Sequence, residues 1–184
     1  TWYSIEWTDI QVSQFDPVHV NFITFIENAA DADVSGLEAD MLYYPTDSLT
    51  ISAAISLNDT EIVNDVAQTI PIVDIGNPLP LAPKRQGNVR IRKDLSSNQS
   101  YFQAAVKYAS STYNSFEAAK VLDQSAYTIV DFAYGLTIND VDVEFFIRNA
   151  NDERANLYYN DQDDIPRITT NRPRNMGVRM SYRF

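Results

Sequence analysis

The sequence predicts an all-β protein, namely an antiparallel, up-and-down transmembrane β-barrel segment with about eight strands. Apolar and polar residues alternate with a period of two over most of the chain, which is typical of strands. Short connections alternate with long polar ones, and aromatic residues cluster near the predicted strand ends. Both patterns are typical of membrane-spanning barrels. If the chain is a fragment of a larger barrel, the sheet is expected to be open and curved.

The N-terminal half contains four predicted strands. In the first, Tyr3, Ile5 and Trp7 are expected to form the apolar row. The second follows an apolar stretch at 19–28, which we interpret as an extension of the same strand. In the third, every second residue from Leu49 to Leu57 is apolar, and the residues between them are small or polar. These strands are predicted at 1–12, 34–46, 48–58 and 86–95.

The C-terminal half contains four more predicted strands. The last is the clearest, because Met176, Val178 and Met180 share one face while Gly177 lies on the other. A helix would scatter these residues around its circumference. Phe146 is an exception in its own strand, because it interrupts the polar row. The four strands are predicted at 100–113, 126–138, 141–149 and 173–184.

The predicted connections are short and long in strict rotation. An up-and-down membrane barrel has tight turns on its periplasmic side and long loops outside, whereas a soluble sandwich has no reason to sort its loops in this way. The short turns are predicted at 45–49, 95–99 and 139–140, and the long loops at 13–19, 59–85, 112–125 and 150–172.

Composition excludes several classes of function. A net charge of −11 argues against binding to nucleic acid, which needs clustered Lys and Arg. The chain has no Cys and one His, so neither a disulfide framework nor a metal centre rich in these residues is expected. Its 5 Gly form no phosphate-binding loop, and no cofactor is expected.

No catalytic site is predicted, so the protein is not expected to be an enzyme. A Ser-His-Asp triad would need His19, which lies in an apolar stretch where a packed or surface histidine is far more common. The adjacent carboxylates Asp163 and Asp164 have the chemistry of a Ca²⁺ site or a glycosidase pair. In a long polar loop, however, such pairs are more often solvated.

The polar rows carry charges of both signs. A wall of mixed charge suits a wide lumen that is filled with water or packed on a polar plug. It would serve equally well as the solvated face of a soluble sheet, and alternation alone does not separate the two. The charged residues are Glu6, Glu38, Asp40, Arg90, Arg92, Lys107, Asp131, Asp142, Glu144, Arg148, Arg179 and Arg183.

Four stretches resemble TonB-dependent outer-membrane receptors, in the order in which that family carries them. The run Tyr3–Gln11 is similar to the family's Tyr-x-Ile-x-Trp-x-Asp-Ile-Gln segment. The runs Asn28–Ala30 and Ser35–Glu38 are similar to the family's Asn-Ala-Gly-x-Ala segment and the Gly-x-Glu that follows it. The run Asn149–Glu153 resembles the family's Asn-Leu-x-Asp-Glu box, with Ala150 where leucine is usual. The run Asn171–Phe184 resembles the family's last strand, with an Arg-Pro-Arg segment, a glycine and a terminal aromatic residue. The motif residues are Gly36, Glu38, Asn149, Asp152, Glu153, Arg172, Pro173 and Gly177.

The resemblance implies that residues 1–184 are the C-terminal part of a receptor β-barrel domain, without the N-terminal plug. Such receptors have about 22 strands around a plug, so eight strands would form roughly the last third. The family's setting is the cell outer membrane. The implied partners are its lipid, the rest of the barrel and its plug, TonB through that plug, and the barrel-assembly machinery.

The resemblance also implies an activity, namely TonB-energised uptake of a scarce ligand of the siderophore, cobalamin or glycan class. No ligand-contacting residue is assigned. Tyr182 and Phe184 are implied as the signal for membrane insertion.

Two alternatives remain open at this point. The first is a complete eight-stranded outer-membrane barrel with a structural or adhesion role, in which the first strand would pair with the last. The second is a soluble β-sandwich or lipocalin-like binding module, which would dissolve without detergent.

Overall fold

The computed structural model describes residues 1–16, 23–67, 72–95, 99–118, 121–160 and 167–182. This part of the chain is built mainly from antiparallel strands, as the alternation predicted. It contains no helix with the length and apolar character needed to cross a bilayer. The strands are β1 (Trp2–Asp16), β2 (Ile23–Thr46), β3 (Leu49–Asp65), β4 (Arg85–Leu95), β5 (Ser100–Ala109), β6 (Thr112–Tyr113), β7 (Asp123–Gln124), β8 (Tyr127–Ile138), β9 (Val141–Arg148), β10 (Asn156–Asn160), β11 (Arg167–Thr170) and β12 (Asn175–Tyr182).

Eight of the described strands form one sheet, in the order β1-β2-β3-β4-β5-β8-β9-β12. Neighbours pair antiparallel throughout, so the chain runs up and down as predicted. Among the described residues β1 and β12 form the two edges and do not pair with each other, so the sheet is open. It therefore gives no support to a closed eight-stranded barrel. The other strands form two small sheets, β6 with β7 and β10 with β11.

The two ends of the large sheet differ. At one end, the short-turn end, residues 47–48 join β2 to β3 and residues 139–140 join β8 to β9. At the opposite end, the long-loop end, long segments leave the sheet after β3, β5 and β9. The predicted short turns around residues 47–48 and 139–140 and the predicted long connections after β3, β5 and β9 are confirmed, whereas the connections predicted at 13–19 and 95–99 lie partly outside the described residues.

The first three strands are longer than the sequence predicted. They span 15, 24 and 17 residues, whereas a membrane strand needs about 9 to 11. Residues 23–28 continue β2, which confirms the predicted extension, while 17–22 lie outside the described residues. Residues 13–16 and 59–65 were expected in loops, but they continue β1 and β3. These three strands therefore project beyond the rest of the sheet at the long-loop end.

One face of the sheet carries an apolar band. Its side chains are exposed in the structure, for example Ile55 at 48% and Val178 at 50%. Contact with water is unfavourable for side chains of this kind, so the band is a surface that another apolar medium must cover. One row crosses seven strands through Tyr43, Ile51, Ile91, Ala104, Phe132, Ile147 and Met176.

The face predicted for β1 was wrong. Trp2 pairs with Leu37, which places Trp2 on the apolar band. Tyr3 pairs with Gly36, and its hydroxyl donates a hydrogen bond to Asn58 on the polar face. Alternation sorts a strand into two rows, but it does not tell which row faces which medium. The residues assigned to the wrong face are Tyr3, Ile5 and Trp7, together with Glu6.

The aromatic residues at the strand ends divide between the two faces for the same reason. The clustering of aromatic residues at strand ends leads to the expectation that they form girdles at the lipid–water boundary. This expectation fits those that lie on the apolar band, namely Trp2, Tyr43, Phe102 and Tyr182. It was wrong for those on the polar face, which are Tyr3, Tyr101 and Tyr127. Two aromatic neighbours in a strand point to opposite sides, so only one of each pair can meet lipid.

A small hydrophobic core lies at the long-loop end, where β1, β2 and β3 project. Ile62 of β3 is fully buried there, and it packs with Ile10 of β1 and Ala30 of β2. The segment after β3 supplies Val73 and Leu79 to the same core. This segment is therefore folded against the projecting strands, although it contains no regular strand of its own in the described residues.

Candidate functional site

The polar face of the sheet carries a network of charged groups near the short-turn end. Tyr101 of β5, Glu144 of β9 and Arg179 of β12 lie in one row across the strands. The Tyr101 hydroxyl donates a hydrogen bond to Glu144 Oε2 at 2.6 Å. Arg179 donates to Glu144 Oε1 at 3.2 Å. One carboxylate thus joins three strands of the wall.

Arg92 and Asp94 of β4 extend this network. The Arg92 Nε lies 2.9 Å from Asp94 Oδ1. Its guanidinium carbon lies 3.6 Å from the centre of the Tyr101 ring, a cation–π arrangement. The charged groups of this network therefore pair with one another. Such pairing favours a structural role, in which the network fixes the register of the strands, over a catalytic role.

A shallow cavity opens on the same face, closer to the long-loop end. Asp40, Ala54 and Lys107 lie along one cross-strand row of its lining, and Glu38 and Tyr127 lie beside them. The small side chain of Ala54 makes space for the cavity, while the carboxylates of Glu38 and Asp40 and the ammonium of Lys107 provide charge of both signs. The cavity can receive a polar side chain or a small polar ligand.

Three glycines on the polar face are each covered by an aromatic ring. A Cβ at any of them would collide with the ring, so glycine is needed for the ring to lie where it does. An aromatic ring packed over a glycine also offsets the loss of strand stability that the glycine causes. They explain why Phe146 interrupts a polar row. The pairs are Tyr3 over Gly36, Tyr101 over Gly135 and Phe146 over Gly177.

The motif residues of the last hairpin meet around Asn149, directly after β9. Asn149 is 4% exposed and adopts a φ of 52°. Its amide nitrogen donates to the backbone carbonyls of Glu153 and Arg172, each at 2.9 Å. Its amide oxygen accepts from the backbone N–H of Glu153 at 2.9 Å. The side chain thus ties the turn after β9 to the segment that enters β12, with Pro173 next in the chain.

Asp152 makes a second link between the same two segments. The backbone N–H of Arg174 donates to Asp152 Oδ1 at 2.9 Å. Arg154 and Arg174 each form an ion pair with this carboxylate. The hydrogen bond from Arg174, helped by these guanidinium groups, lowers the pKa of Asp152 below its usual value.

The projecting strands are held together by a polar cluster at a bulge in β1. Asp9 lies at the bulge with a φ of 55°, and its backbone N–H donates to Asp31 Oδ1 at 2.8 Å. Asn64 of β3 donates to the other Asp31 oxygen at 3.0 Å. The bonds from Asp9 and Asn64 lower the pKa of Asp31. One side chain therefore links β1, β2 and β3 outside the apolar band.

Two long segments are joined to each other at the long-loop end. The Tyr113 hydroxyl donates a hydrogen bond to the Pro78 carbonyl, and the Leu81 N–H donates to the Tyr113 carbonyl at 2.8 Å. Burial raises the pKa of Tyr113 to about 12. The Val73 N–H donates to the Phe116 carbonyl at 2.8 Å. Because Thr112–Tyr113 turn away to make this junction, β5 ends at Ala109 rather than at the predicted residue 113.

The structure brings some of the predicted site residues together and separates others. It gathers Asn149, Asp152, Glu153 and Arg172, whereas Gly36 and Glu38 lie on another part of the polar face. Tyr182 lies on the apolar band beside Val141. No group of His, Cys, Asp and Glu among the described residues is placed to hold a metal ion. Five residues that the sequence analysis singled out lie outside the described part of the chain, namely His19, Asp163, Asp164, Arg183 and Phe184.

Sequence reasoning named Asp131 and Asn171 but missed the contacts by which they hold these features in place. Asp131 Oδ1 accepts the backbone N–H of Asn149 at 2.8 Å, and Asn171 accepts the N–H of Ala155 at 2.9 Å. These contacts join residues that are far apart in the chain, so no local pattern in a single sequence predicts them. The Tyr101–Gly135 pair could have been predicted from the sequence, because a glycine in a polar row leaves room for an aromatic ring from the adjacent strand.

An open antiparallel sheet with an exposed apolar band, a charged opposite face and long loops at one end is the wall of a transmembrane β-barrel. Barrels of this class lie in the outer membrane of Gram-negative bacteria. The family described as TonB dependent receptor-like, beta-barrel, matches residues 1–150. The chain belongs to this family, and it is a protein of the cell outer membrane. The apolar band therefore faces lipid, the polar face lines the lumen, and the long-loop end faces outward.

Solved structures of similar fold come from receptors of the same kind. The siderophore receptor PiuA from Acinetobacter baumannii aligns with a TM-score of 0.74 and 21% identity over 96% of this chain. The ferric yersiniabactin uptake receptor FyuA from Yersinia pestis aligns with 0.71 and 18% over 85%. The ferripyoverdine receptor of Pseudomonas aeruginosa aligns with 0.69 and 11% over 98%.

These likenesses concern the fold. The chain covers 24% of each of the three receptors. A comparison with curated protein sequences gives no match.

Proposed function

We propose that residues 1–184 form the C-terminal part of the barrel wall of a receptor that takes up a scarce ligand across the outer membrane. The ligand class that the neighbours favour is a ferric siderophore, because the names of all three solved receptors describe siderophores or their iron complexes. The observation that carries the proposal is the open eight-stranded sheet, which aligns nearly end to end with part of such receptors. Cobalamin and glycans are the other ligand classes.

The charged lumen face supports a plug as the partner inside the barrel. Rows of mixed charge and a cavity that contains Glu38, Asp40 and Lys107 suit a polar surface packed against them better than they suit an empty pore. Energy would reach such a plug from TonB, as the family implies. The wall described above would then act as scaffold and as part of the outer ligand surface.

The proposal is tested by uptake in cells that carry the full-length protein. Cells that depend on it should accumulate radioactive iron from a ferric siderophore, and deletion of TonB should abolish the accumulation. Replacing residues 72–84, an outward segment, by a short Gly-Ser linker should lower uptake. The matched control is Lys93→Gln at the periplasmic margin of the lipid face, which should leave uptake unchanged. Uptake that persists without TonB or without the protein would refute the proposal.

We propose in addition that the C-terminal aromatic residues signal membrane insertion. Tyr182 lies on the lipid face, and Phe184 follows it at the same parity in the sequence. Phe184→Asp in the full-length protein should leave synthesis intact but reduce the folded, heat-modifiable form on gels. Ser181→Asn on the lumen face is the matched control. Equal folded fractions in the two variants would contradict a signalling role for Phe184.

A further inference from the structure

Strand β4 carries a positive charge at each margin of the lipid face. Arg85 pairs with Leu57 and lies at the outer margin, while Lys93 pairs with Phe102 and lies at the periplasmic margin. The Lys93 Nζ is 2.6 Å from Ser48 Oγ. The Arg85 side chain is exposed, and no carboxylate in the described part of the chain forms an ion pair with it. A guanidinium at the level of the lipid headgroups has the geometry to bind a phosphate through two parallel hydrogen bonds.

An open groove lies on the lipid face directly below Arg85. Gly87 lies on its lining, and the atoms nearest to a Cβ there belong to the backbone of Ala54 and Ile55 rather than to an aromatic ring, unlike the three glycines of the lumen face. The backbone carbonyl of Ala54 lies 2.8 Å from the position of a Gly87 Cβ, so a side chain at this position would collide with the neighbouring strand. Because Gly87 has neither a side chain nor a covering ring, it leaves a depression between the apolar side chains that surround it.

Most of the lining surface of the groove is apolar, although Asp40, Gln86 and Asn88 also border it. Its volume is about 530 Å³, and Arg85 is the charged side chain of the lipid face at its margin. Since the groove lies within the apolar band, the medium that enters it is hydrocarbon rather than water. The apolar side chains around it are Met41, Ile55, Leu57, Val89, Val106 and Tyr108.

We propose that this groove binds a phosphorylated glycolipid of the outer leaflet, with a phosphate on Arg85 and one acyl chain along the groove. The charge of Arg85 selects an anionic headgroup, and its position at the outer margin selects the outer leaflet. The glycine-centred depression then orders the chain below the headgroup. The apolar side chains of the groove lie on the lipid face, on the side of the sheet opposite the lumen cavity, so lipid binding here does not require a transported ligand.

The test measures lipid retained by the full-length protein after extraction in mild detergent, by native mass spectrometry. The probe is diphosphoryl lipid A, with phosphatidylglycerol and inorganic phosphate as separate arms. Arg85→Gln should lower retention of lipid A by about fivefold or more, because a charge-assisted, two-pronged bond is lost. Arg85→Lys should retain an intermediate amount. Inorganic phosphate should not displace the lipid, since it lacks the acyl chain.

Filling the groove gives an independent test. Ala53 lies on the groove lining, and Ala53→Leu should lower retention of lipid A without removing any charge. Ala104→Leu adds the same volume to the same face outside the groove, and Lys93→Gln removes the charge at the other margin, so both should leave retention unchanged. Heat-modifiable migration verifies that each variant is folded. Unchanged retention in Arg85→Gln and Ala53→Leu, or equal retention of phosphatidylglycerol, would overturn the proposal.

Discussion

The ring of Tyr101 occupies the space above Gly135 that any other residue would fill with its Cβ. The two residues lie directly opposite each other on β5 and β8. This placement brings the Tyr101 hydroxyl to Glu144 on the next strand and the ring under Arg92. A single glycine therefore permits a contact that joins β4, β5 and β9.

The first prediction is that Gly135→Ala destabilises the folded barrel by about 1 to 3 kcal/mol, because the new methyl group forces the Tyr101 ring to move. Thermal or denaturant unfolding in detergent measures the change. Tyr101→Phe is the informative comparison, since it keeps the ring and loses only the bond to Glu144. A loss of stability in Gly135→Ala that is no larger than in Tyr101→Phe would mean that the ring has room to shift.

The second prediction concerns Asn149, whose positive φ and three side-chain hydrogen bonds act together. Asn149→Ala should destabilise the last hairpin by about 2 to 4 kcal/mol, since it leaves buried backbone groups unpaired and strains the left-handed residue. Asn149→Gly removes the same hydrogen bonds but avoids the backbone strain, so it should reduce the stability of the hairpin by less than Asn149→Ala does. Hydrogen exchange of the amides in β9 and β12 reports the local effect. Equal losses in the two variants would show that the backbone conformation contributes nothing.

The third prediction concerns pH and Asp152. Its folded-state pKa is lowered, first by the hydrogen bond from the Arg174 N–H and then by Arg154 and Arg174. A lowered pKa means that the stabilisation is present above the unfolded value of about 3.9 and is lost as pH falls through the folded value. The melting temperature of the wild type should therefore fall more steeply below about pH 4 than that of Asp152→Asn. Parallel pH curves would show that the carboxylate makes no net contribution.

The fourth prediction tests which face meets lipid. Ile55 lies on the apolar band, and its neighbour Ala54 is exposed on the lumen face beside Asp40. Ile55→Arg should destabilise the barrel by about 2 to 4 kcal/mol if the position is near the bilayer midplane. Ala54→Arg should destabilise the barrel much less, because its charged group enters the lumen rather than the lipid. The measurement is unfolding from lipid vesicles, and equal losses at the two positions would contradict the orientation.

The fifth prediction concerns a row of like charges on the projecting strands. Glu6 of β1, Asp33 of β2 and Glu61 of β3 lie directly opposite one another, on the side of the sheet that carries the apolar band lower down. Like charges in opposite positions destabilise a sheet by about 0.2 to 1 kcal/mol per pair. Asp33→Asn should therefore stabilise this part of the protein at low salt, with a smaller gain at high salt. Asp40→Asn on the lumen face is the control. A gain that does not depend on salt would exclude repulsion as its cause.

The sequence was sufficient for the fold because a membrane wall repeats one simple rule. Alternation located all eight strands of the sheet, and the rotation of loop lengths gave their order. It failed where the rule changes. The long projections of β1 and β3 are rich in polar residues, so residues 13–16 and 59–65 resemble loops in sequence although they are strands. Their strands are held by pairing and by the small core around Ile62, which only the fold assembles.

The candidate site was predicted less completely than the fold. The resemblance named Asn149 and Asp152, but the residues that complete their contacts, such as Asp131, come from other strands. The face of β1 was assigned wrongly because Tyr3 is aromatic and yet belongs to the lumen, where Gly36 makes room for it. The hydrophobicity of Tyr3 does not show that the residue paired with it on the adjacent strand is a glycine, and that pairing is what places the ring on the lumen face.

The junction between Tyr113 and Pro78 has a consequence for how the cell surface is recognised. The two outward segments share hydrogen bonds and a common core, so each is positioned by its contacts with the other. Antibodies and phages that bind this part of the protein meet a surface assembled from both segments. Substitutions that alter one segment must remain compatible with the other, so the two are expected to vary together among strains. An antibody raised against either segment as a free peptide would not recognise the intact cell.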